Sequence, residues 1–384
     1  MVLLEDDGSI LADLLCSARR LYLNKTDSED PMRKIIMTGG GTAGHVNPNL
    51  ALMPKLKQLN YDIKYIGSKT GIEREIIGKT KVPYFAISSG KLRRYFDLKN
   101  FSDPFKVGLG FFQALNILRK ERPNLVFSKG GYVSVPVVAA ASFLKIPVLA
   151  HESDITPGLA NRMAARFADK LLVTFPDTLK EVGDKGILVG SPIRAELFTG
   201  DALKAKKAAG FIQDKPVILV MGGSIGSVKI NESLRAILPV LLEQFNVIHL
   251  CGKNNLDPKL EALTGYKQYE YLSGEMKDVL NAADLIVSRA GANAIFEFVT
   301  LGKPNLLIPL SLSASRGDQI KNAESFQNKG YSMVLEEEKV TDESLQRAIS
   351  DLYSNREIYI DAMVKANLGN AADKIVELIE KYSK

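Results

Sequence analysis

From Met32 onward, short apolar runs alternate with longer stretches whose apolar residues recur at helical spacing. The runs at 35–38, 63–66, 125–128, 148–151 and 171–174 have the length and continuous apolar character of strands buried on both faces. A second series follows at 217–221, 247–250, 285–288 and 305–309. Strand and helix patterns in alternation predict an α/β fold built on doubly wound sheets. The two series also echo each other. Met37-Thr38-Gly39-Gly40-Gly41 parallels Val220-Met221-Gly222-Gly223-Ser224, and Ser128-Lys129-Gly130-Gly131 parallels Ser288-Arg289-Ala290-Gly291.

The expected organisation is therefore two Rossmann-like domains, 32–192 and 193–370, with the boundary near Gly190-Ser191-Pro192. A last amphipathic helix within 371–384, with Ile375, Leu378, Ile379 and Tyr382 on one face, is expected to complete the first domain. Residues 1–31 read as an N-terminal extension of unassigned role: Leu11, Leu14, Leu15 and Ala18 have helical spacing, and 24–31 is a polar linker. Met32, directly before the first strand, is a candidate initiator.

Composition narrows the class. Charged residues make up 24% and hydrophobic residues 46%, the balance of a soluble globular chain. Two cysteines supply neither a disulfide framework nor a zinc spacing, which points to a reducing compartment. The longest run free of Asp, Glu, Lys, Arg and His, 130–144, is 15 residues long, short of the ~20 a membrane span requires. The acidic N-terminus lacks the basic region of a signal peptide. Net charge is +6, but it divides into −4 for 1–31, +12 for 32–192 and −2 for 193–384. The first domain is expected to meet an anionic surface.

The candidate chemistry sits where strands end in glycine. Lys34 to His45 reads as strand, Gly-rich turn and helix start, a ready anion site because free N–H groups and a helix dipole converge there. Gly39-x-Gly41-x-x-Gly44 matches the dinucleotide fingerprint. A dinucleotide also needs an acidic residue at the end of the second strand, and Asp62 precedes that strand instead. Two glycine loops facing across a cleft suit a different task, in which one domain holds a nucleotide diphosphate and the other presents an acceptor. Residues 222–227 would then cradle the diphosphate with backbone N–H groups and the Ser224 hydroxyl.

An ordered set of motifs carries a family resemblance. It comprises Gly40-Gly41-Thr42-Ala43-Gly44-His45-x-x-Pro48, Gly130-Gly131-Tyr132-Val133-Ser134, His151-Glu152, Gly190-Ser191-Pro192-Ile193-Arg194, Gly222-Gly223-Ser224, Arg289-Ala290-Gly291 with Glu297, and Asp318-Gln319. From about Met32 to its C-terminus the chain resembles the MurG family, GT-B glycosyltransferases that add N-acetylglucosamine to lipid I in peptidoglycan synthesis. The resemblance implies that His45 takes the proton of the acceptor sugar's 4-hydroxyl and that Thr42, Ala43 and Gly44 shape the acceptor diphosphate pocket. It implies that Gly223 and Ser224 hold the donor diphosphate and Glu297 the ribose. Asp318 and Gln319 would bind the donor sugar, and Arg194 and the Leu272 backbone would face the uridine. Ile225 and Asp154 depart from the family pattern, which has Gln and Asn there; Asp154 is kept as a candidate substrate contact.

No Asp-x-Asp pair occurs in the body of the chain, so no metal and no cofactor is expected, and helix N-termini would meet the leaving-group charge. The implied reaction is direct displacement at the anomeric carbon of UDP-N-acetylglucosamine by lipid I, with inversion. His151 and Glu152 end a strand near the cleft and read as a packed pair; His249 lies in a strand and reads as core.

Residues 91–106 interleave basic and bulky apolar groups. Leu92, Tyr95, Phe96, Leu98, Phe101 and Phe105, followed by Leu109, Phe111, Phe112 and Leu115, suit the headgroup boundary of an anionic membrane. No nucleic-acid module accompanies them. The resemblance implies peripheral attachment to the cytoplasmic face of the bacterial membrane. Two other readings stay open on sequence: another GT-B lipid glycosyltransferase, such as a diacylglycerol sugar transferase, and a catalytically silent nucleotide-sugar-binding scaffold at the membrane.

Overall fold

The computed structural model describes residues 32–90, 99–223, 226–272 and 274–383, with backbone alone at 99–102 and 104. The first domain is a seven-stranded sheet: β1 (Lys34–Thr38), β2 (Asp62–Ser68), β3 (Tyr84–Ile87), β4 (Leu125–Ser128), β5 (Val148–Glu152), β6 (Lys170–Val173) and β7 (Gly186–Leu188). The second is six-stranded: β8 (Val217–Met221), β9 (Asn246–Leu250), β10 (Tyr266–Tyr269), β11 (Leu285–Ser288), β12 (Asn305–Leu307) and β13 (Met333–Val334). Strand order is β3-β2-β1-β4-β5-β6-β7 in one and β10-β9-β8-β11-β12-β13 in the other. The pairing is parallel throughout both sheets.

Continuous apolar runs form the middle of each sheet because helices cover both faces. Ile35 and Met37 of β1 join an apolar cluster on one face, and Ile36 joins the cluster on the other. The same alternation in β8 sends Val217 and Leu219 to one side and Ile218 and Val220 to the other. In each sheet the strand order reverses beside the first strand, between β1 and β4 and between β8 and β11. Ligands in open α/β sheets bind in the crevice outside the strand ends at such a switch point.

The helix Ala372–Tyr382 returns to the first domain. Ile375, Val376 and Ile379 enter the same cluster as Ile35, Leu52 and Phe127. The chain thus crosses between domains twice, and the crossings are clipped together by Asn370. Its Oδ1 accepts from Ile193 N at 2.9 Å, and its Nδ2 donates to Ile193 O at 2.7 Å.

Among the described residues no helix is long and apolar enough to cross a membrane. Of the predicted surface patch, Leu92, Tyr95, Phe96 and Leu98 lie outside the described residues, and Phe101 sits in helix Lys99–Glu121. Phe105 on that helix is 82% exposed.

Candidate active site

The loop after β1 is held from three sides. Thr38 Oγ1 donates to Ile66 O at 2.9 Å, and Tyr65 Oη to Gly39 O at 2.7 Å, tying the loop to β2. Gly40 N donates to Gly130 O at 3.2 Å, joining it to the glycine pair after β4. Gly131 has φ +83°, and a Cβ there would lie 2.0 Å from Gly40 O, so only glycine lets the two loops touch. Beneath them is the buried carboxylate of Glu73, from helix Ile72–Gly78. It accepts from Gly41 N at 3.1 Å and from Ser68 N at 3.0 Å.

The loop ends in a 3-10 turn, Ala43–His45, in which Thr42 Oγ1 and His45 Nδ1 share a hydrogen bond of 3.1 Å. Burial lowers the His45 pKa to about 4, and the Lys129 ammonium adds to the effect; a hydrogen bond to the Gly40 backbone opposes both. Arg316 lowers it further and Glu73 raises it. The ring therefore stays neutral far below neutral pH, chiefly through burial and further because the neighbouring ends of β1 and β4 bring a lysine to it.

That lysine was not singled out from sequence. Lys129 is 1% exposed, and its Nζ donates to Ser153 Oγ at 2.5 Å. Burial lowers its own pKa to about 8, against the pull of Glu152 and Asp154.

Across the cleft, helix Ala292–Thr300 begins after Gly291 with no side-chain cap, leaving N–H groups directed at the crevice. One turn in, Glu297 Oε1 lies 3.5 Å from Arg194 Nη2, and burial raises the Glu297 pKa. Gln319, in helix Asp318–Asn328, accepts from Leu310 N at 3.1 Å through Oε1, while Asp318 pairs with Arg316 at 2.6 Å. The glycine loop after β8 leaves the strand through Gly223, whose φ is +88°. Its far end is fixed by buried Arg289, which donates to Ser227 Oγ at 2.7 Å and pairs with Glu337. Ser227 in turn caps helix Val228–Gln244.

One cavity of about 550 Å³ lies between the domains. Thr42, Ala43, Gly44, His45 and Asp154 line it from the first domain, and Gly223, Leu272, Glu297, Asp318 and Gln319 from the second, with Arg194 at the crossover. Ser224 lies outside the described residues. Asp154 also spans the cleft, accepting from Asn322 Nδ2 at 3.1 Å.

The other two histidines are structural. His151 is fully buried, with Nε2 3.0 Å from Gly190 O, and burial holds its pKa well below the usual value. Beside it, the Glu152 carboxylate accepts from Asp154 N, Gly158 N and Asn161 Nδ2 and so shapes the following turn. His249 is held between Tyr266 Oη at 2.8 Å and Asn231 Oδ1 at 2.9 Å.

Comparisons with known proteins agree with this arrangement. Residues 35–173 match the glycosyltransferase family 28 N-terminal domain, and residues 217–379 its C-terminal domain. The chain is 58% identical over 354 residues to a Clostridium botulinum UDP-N-acetylglucosamine–N-acetylmuramyl-(pentapeptide) pyrophosphoryl-undecaprenol N-acetylglucosamine transferase, covering 92% of this chain and 100% of that one. A Clostridium perfringens protein of the same description is 58% identical over 349 residues, 91% of this chain and 98% of its own. The crystal structure of Acinetobacter baumannii MurG superposes with a TM-score of 0.69 at 27% identity, covering 91% of this chain and 100% of that chain. UDP-GlcNAc 2-epimerase from Neisseria meningitidis shares the fold alone, with a TM-score of 0.63 at 16% identity over 91% of this chain and 100% of its own. With two matched domains and near-full-length identity of this order, the chain belongs to glycosyltransferase family 28 and, within it, to the MurG family.

Proposed function

We propose that the chain is the enzyme that transfers N-acetylglucosamine from UDP-N-acetylglucosamine to the 4-hydroxyl of the N-acetylmuramyl unit of lipid I, forming lipid II. The observation that carries this reading is one cavity lined by His45 from one domain and by Glu297 and Gln319 from the other. Glu297 grips the ribose hydroxyls, Arg194 and Leu272 flank the uracil, and Gln319 and Asp318 orient the sugar. Gly223, Ser224 and the uncapped helix at Gly291 receive the donor diphosphate. His45, neutral at physiological pH, takes the proton as the 4-oxygen attacks the anomeric carbon from the face opposite UDP, and the configuration inverts. The departing charge meets N–H groups already oriented toward it. Lys129, at the floor of the acceptor side, supplies the cation for the acceptor's own diphosphate, and that negative charge in turn raises the basicity of His45.

The same domain presents the membrane-facing surface. Phe105 and Phe112 of helix Lys99–Glu121 are exposed, as is Phe143, and Phe111 packs edge-on against both Phe112 and Phe143. Lys106, Lys120 and Lys145 are close in sequence to these rings. Apolar side chains enter the headgroup boundary and lysines meet anionic lipid, on the cytoplasmic side where the donor nucleotide is found.

Purified protein incubated with labelled UDP-N-acetylglucosamine is expected to label lipid I and not diacylglycerol. Transfer only to diacylglycerol would overturn the acceptor, and donor binding without transfer would overturn the enzyme. His45→Ala is expected to leave UDP affinity within about twofold while slowing turnover on the order of 100-fold or more. Turnover near the wild-type value would remove His45 as the base.

A further inference from the structure

A side chain of the donor helix hydrogen-bonds the acceptor loop. Asn293, second residue of helix Ala292–Thr300, donates from Nδ2 to Gly44 O at 3.0 Å. Its Oδ1 accepts from Ser153 Oγ at 2.8 Å and from Ser191 Oγ at 3.4 Å. The Ser153 hydroxyl also receives the Lys129 ammonium. One amide thus reaches the residue before His45, the turn that anchors Lys129, and the first crossover between domains. The fit at Gly44 is close: a Cβ there would lie 3.3 Å from Asn293 Nδ2.

Glu297 lies four residues further along the same helix, and residues four apart stand on one face. The side chain read above as the ribose ligand and the side chain that holds Gly44 therefore sit on one rigid turn. An amide is suited to the position because it donates and accepts at once. Aspartate would keep the acceptor toward Ser153 and Ser191, lose the donor, and set a carboxylate against the Gly44 carbonyl.

We propose that Asn293 is a positioning residue through which the donor-binding helix fixes the acceptor loop and, with it, the orientation of His45 toward the sugar hydroxyl. The inference rests on the reading of the cleft as a donor–acceptor transfer site. It goes further in assigning a single cross-domain contact to the alignment of the base.

The test compares Asn293→Ala, Asn293→Asp and Ser153→Ala with the wild type in the full chain. Both Asn293 variants are expected to lose about tenfold in kcat, the cost of a partly buried carbonyl left without its donor, with KM for UDP-N-acetylglucosamine changed by less than about twofold. Ser153→Ala, which keeps the Gly44 contact, is expected to lose less. Amide hydrogen exchange at 39–46 should speed up in both Asn293 variants, while β1 and β8 exchange as in the wild type, which separates loop positioning from general loss of stability. Wild-type kcat together with wild-type exchange at 39–46 in Asn293→Ala would overturn the proposal. If the wild type itself transfers no sugar, the functional reading fails, and the exchange measurement still decides whether Asn293 holds the loop.

Discussion

At the residue scale, His45 and Lys129 form a coupled pair whose signs can be worked out. His45 works as a base only when neutral, and with a pKa of about 4 it is neutral across the physiological range. Lys129 holds an anion only when charged, and its pKa of about 8 places its loss of charge just above that range. In kcat/KM for the acceptor, the rate is therefore expected to be flat through neutrality and to fall as pH rises through about 8. Lys129→Met is expected to raise acceptor KM about tenfold or more, to abolish the alkaline fall, and to move the acid limb upward, because a positive neighbour no longer opposes protonation of His45. Glu73 and Arg316, the other charged groups acting on His45, are unchanged in that variant. A persisting alkaline limb in Lys129→Met would sink the assignment. His45 was legible in the sequence because a titratable side chain directly follows a glycine loop. Lys129 and Asn293 were not: each matters through a neighbour that only strand order or domain closure brings near.

Among elements, the glycine loop after β1 depends on a helix that carries no sequence signal for it. Glu73 accepts two backbone N–H groups, one from the loop after β1 and one from the end of β2, and a Cβ at Gly40 or Gly71 would strike its carboxylate at 2.5 Å and 2.2 Å. Those glycines serve close packing as well as backbone freedom. Glu73→Gln keeps the volume but turns an amide NH₂ toward a backbone N–H, and is expected to cost about 1–3 kcal/mol in chemical denaturation. Acceptor KM should rise while donor KM stays unchanged; unaltered stability would contradict the clamp. The strands that sequence reading found lie in the middle of each sheet, where burial on both faces demands unbroken apolar runs. The four it missed, β3, β7, β10 and β13, include the outer edges of both sheets. Edge strands are half-covered, so Tyr266–Tyr269 mixes polar and apolar residues without a strand-like run, whereas Tyr84–Ile87 is an apolar run that the same pattern makes legible.

For the whole molecule, the second crossing is the feature with the largest energetic consequence. Removing residues 371–384 takes Ile375, Val376 and Ile379 out of the first domain's core. At about 1.5–3 kcal/mol for each buried side chain, the loss is roughly 5 kcal/mol or more, comparable with the stability of a domain. Hydrogen exchange is expected to show 32–192 unprotected in the truncated chain while 193–370 still binds UDP; protection of both would refute the dependence. On the outer surface, Phe105→Asp with Phe112→Asp is expected to weaken binding to anionic vesicles about tenfold or more, leaving transfer to a detergent-dispersed acceptor intact. Equal vesicle binding would place the membrane contact elsewhere. The returning helix also sets an order of birth. The first domain's opening strand leaves the ribosome early, but its core lacks Ile375 and Ile379 until the stretch from Ile193 to Asn370 has been made. At bacterial elongation rates that takes roughly 10–40 s. The domain that comes second in sequence is thus the first able to close, and the half that carries the exposed Phe105 and Phe112 waits, apolar face uncovered, until synthesis is nearly complete.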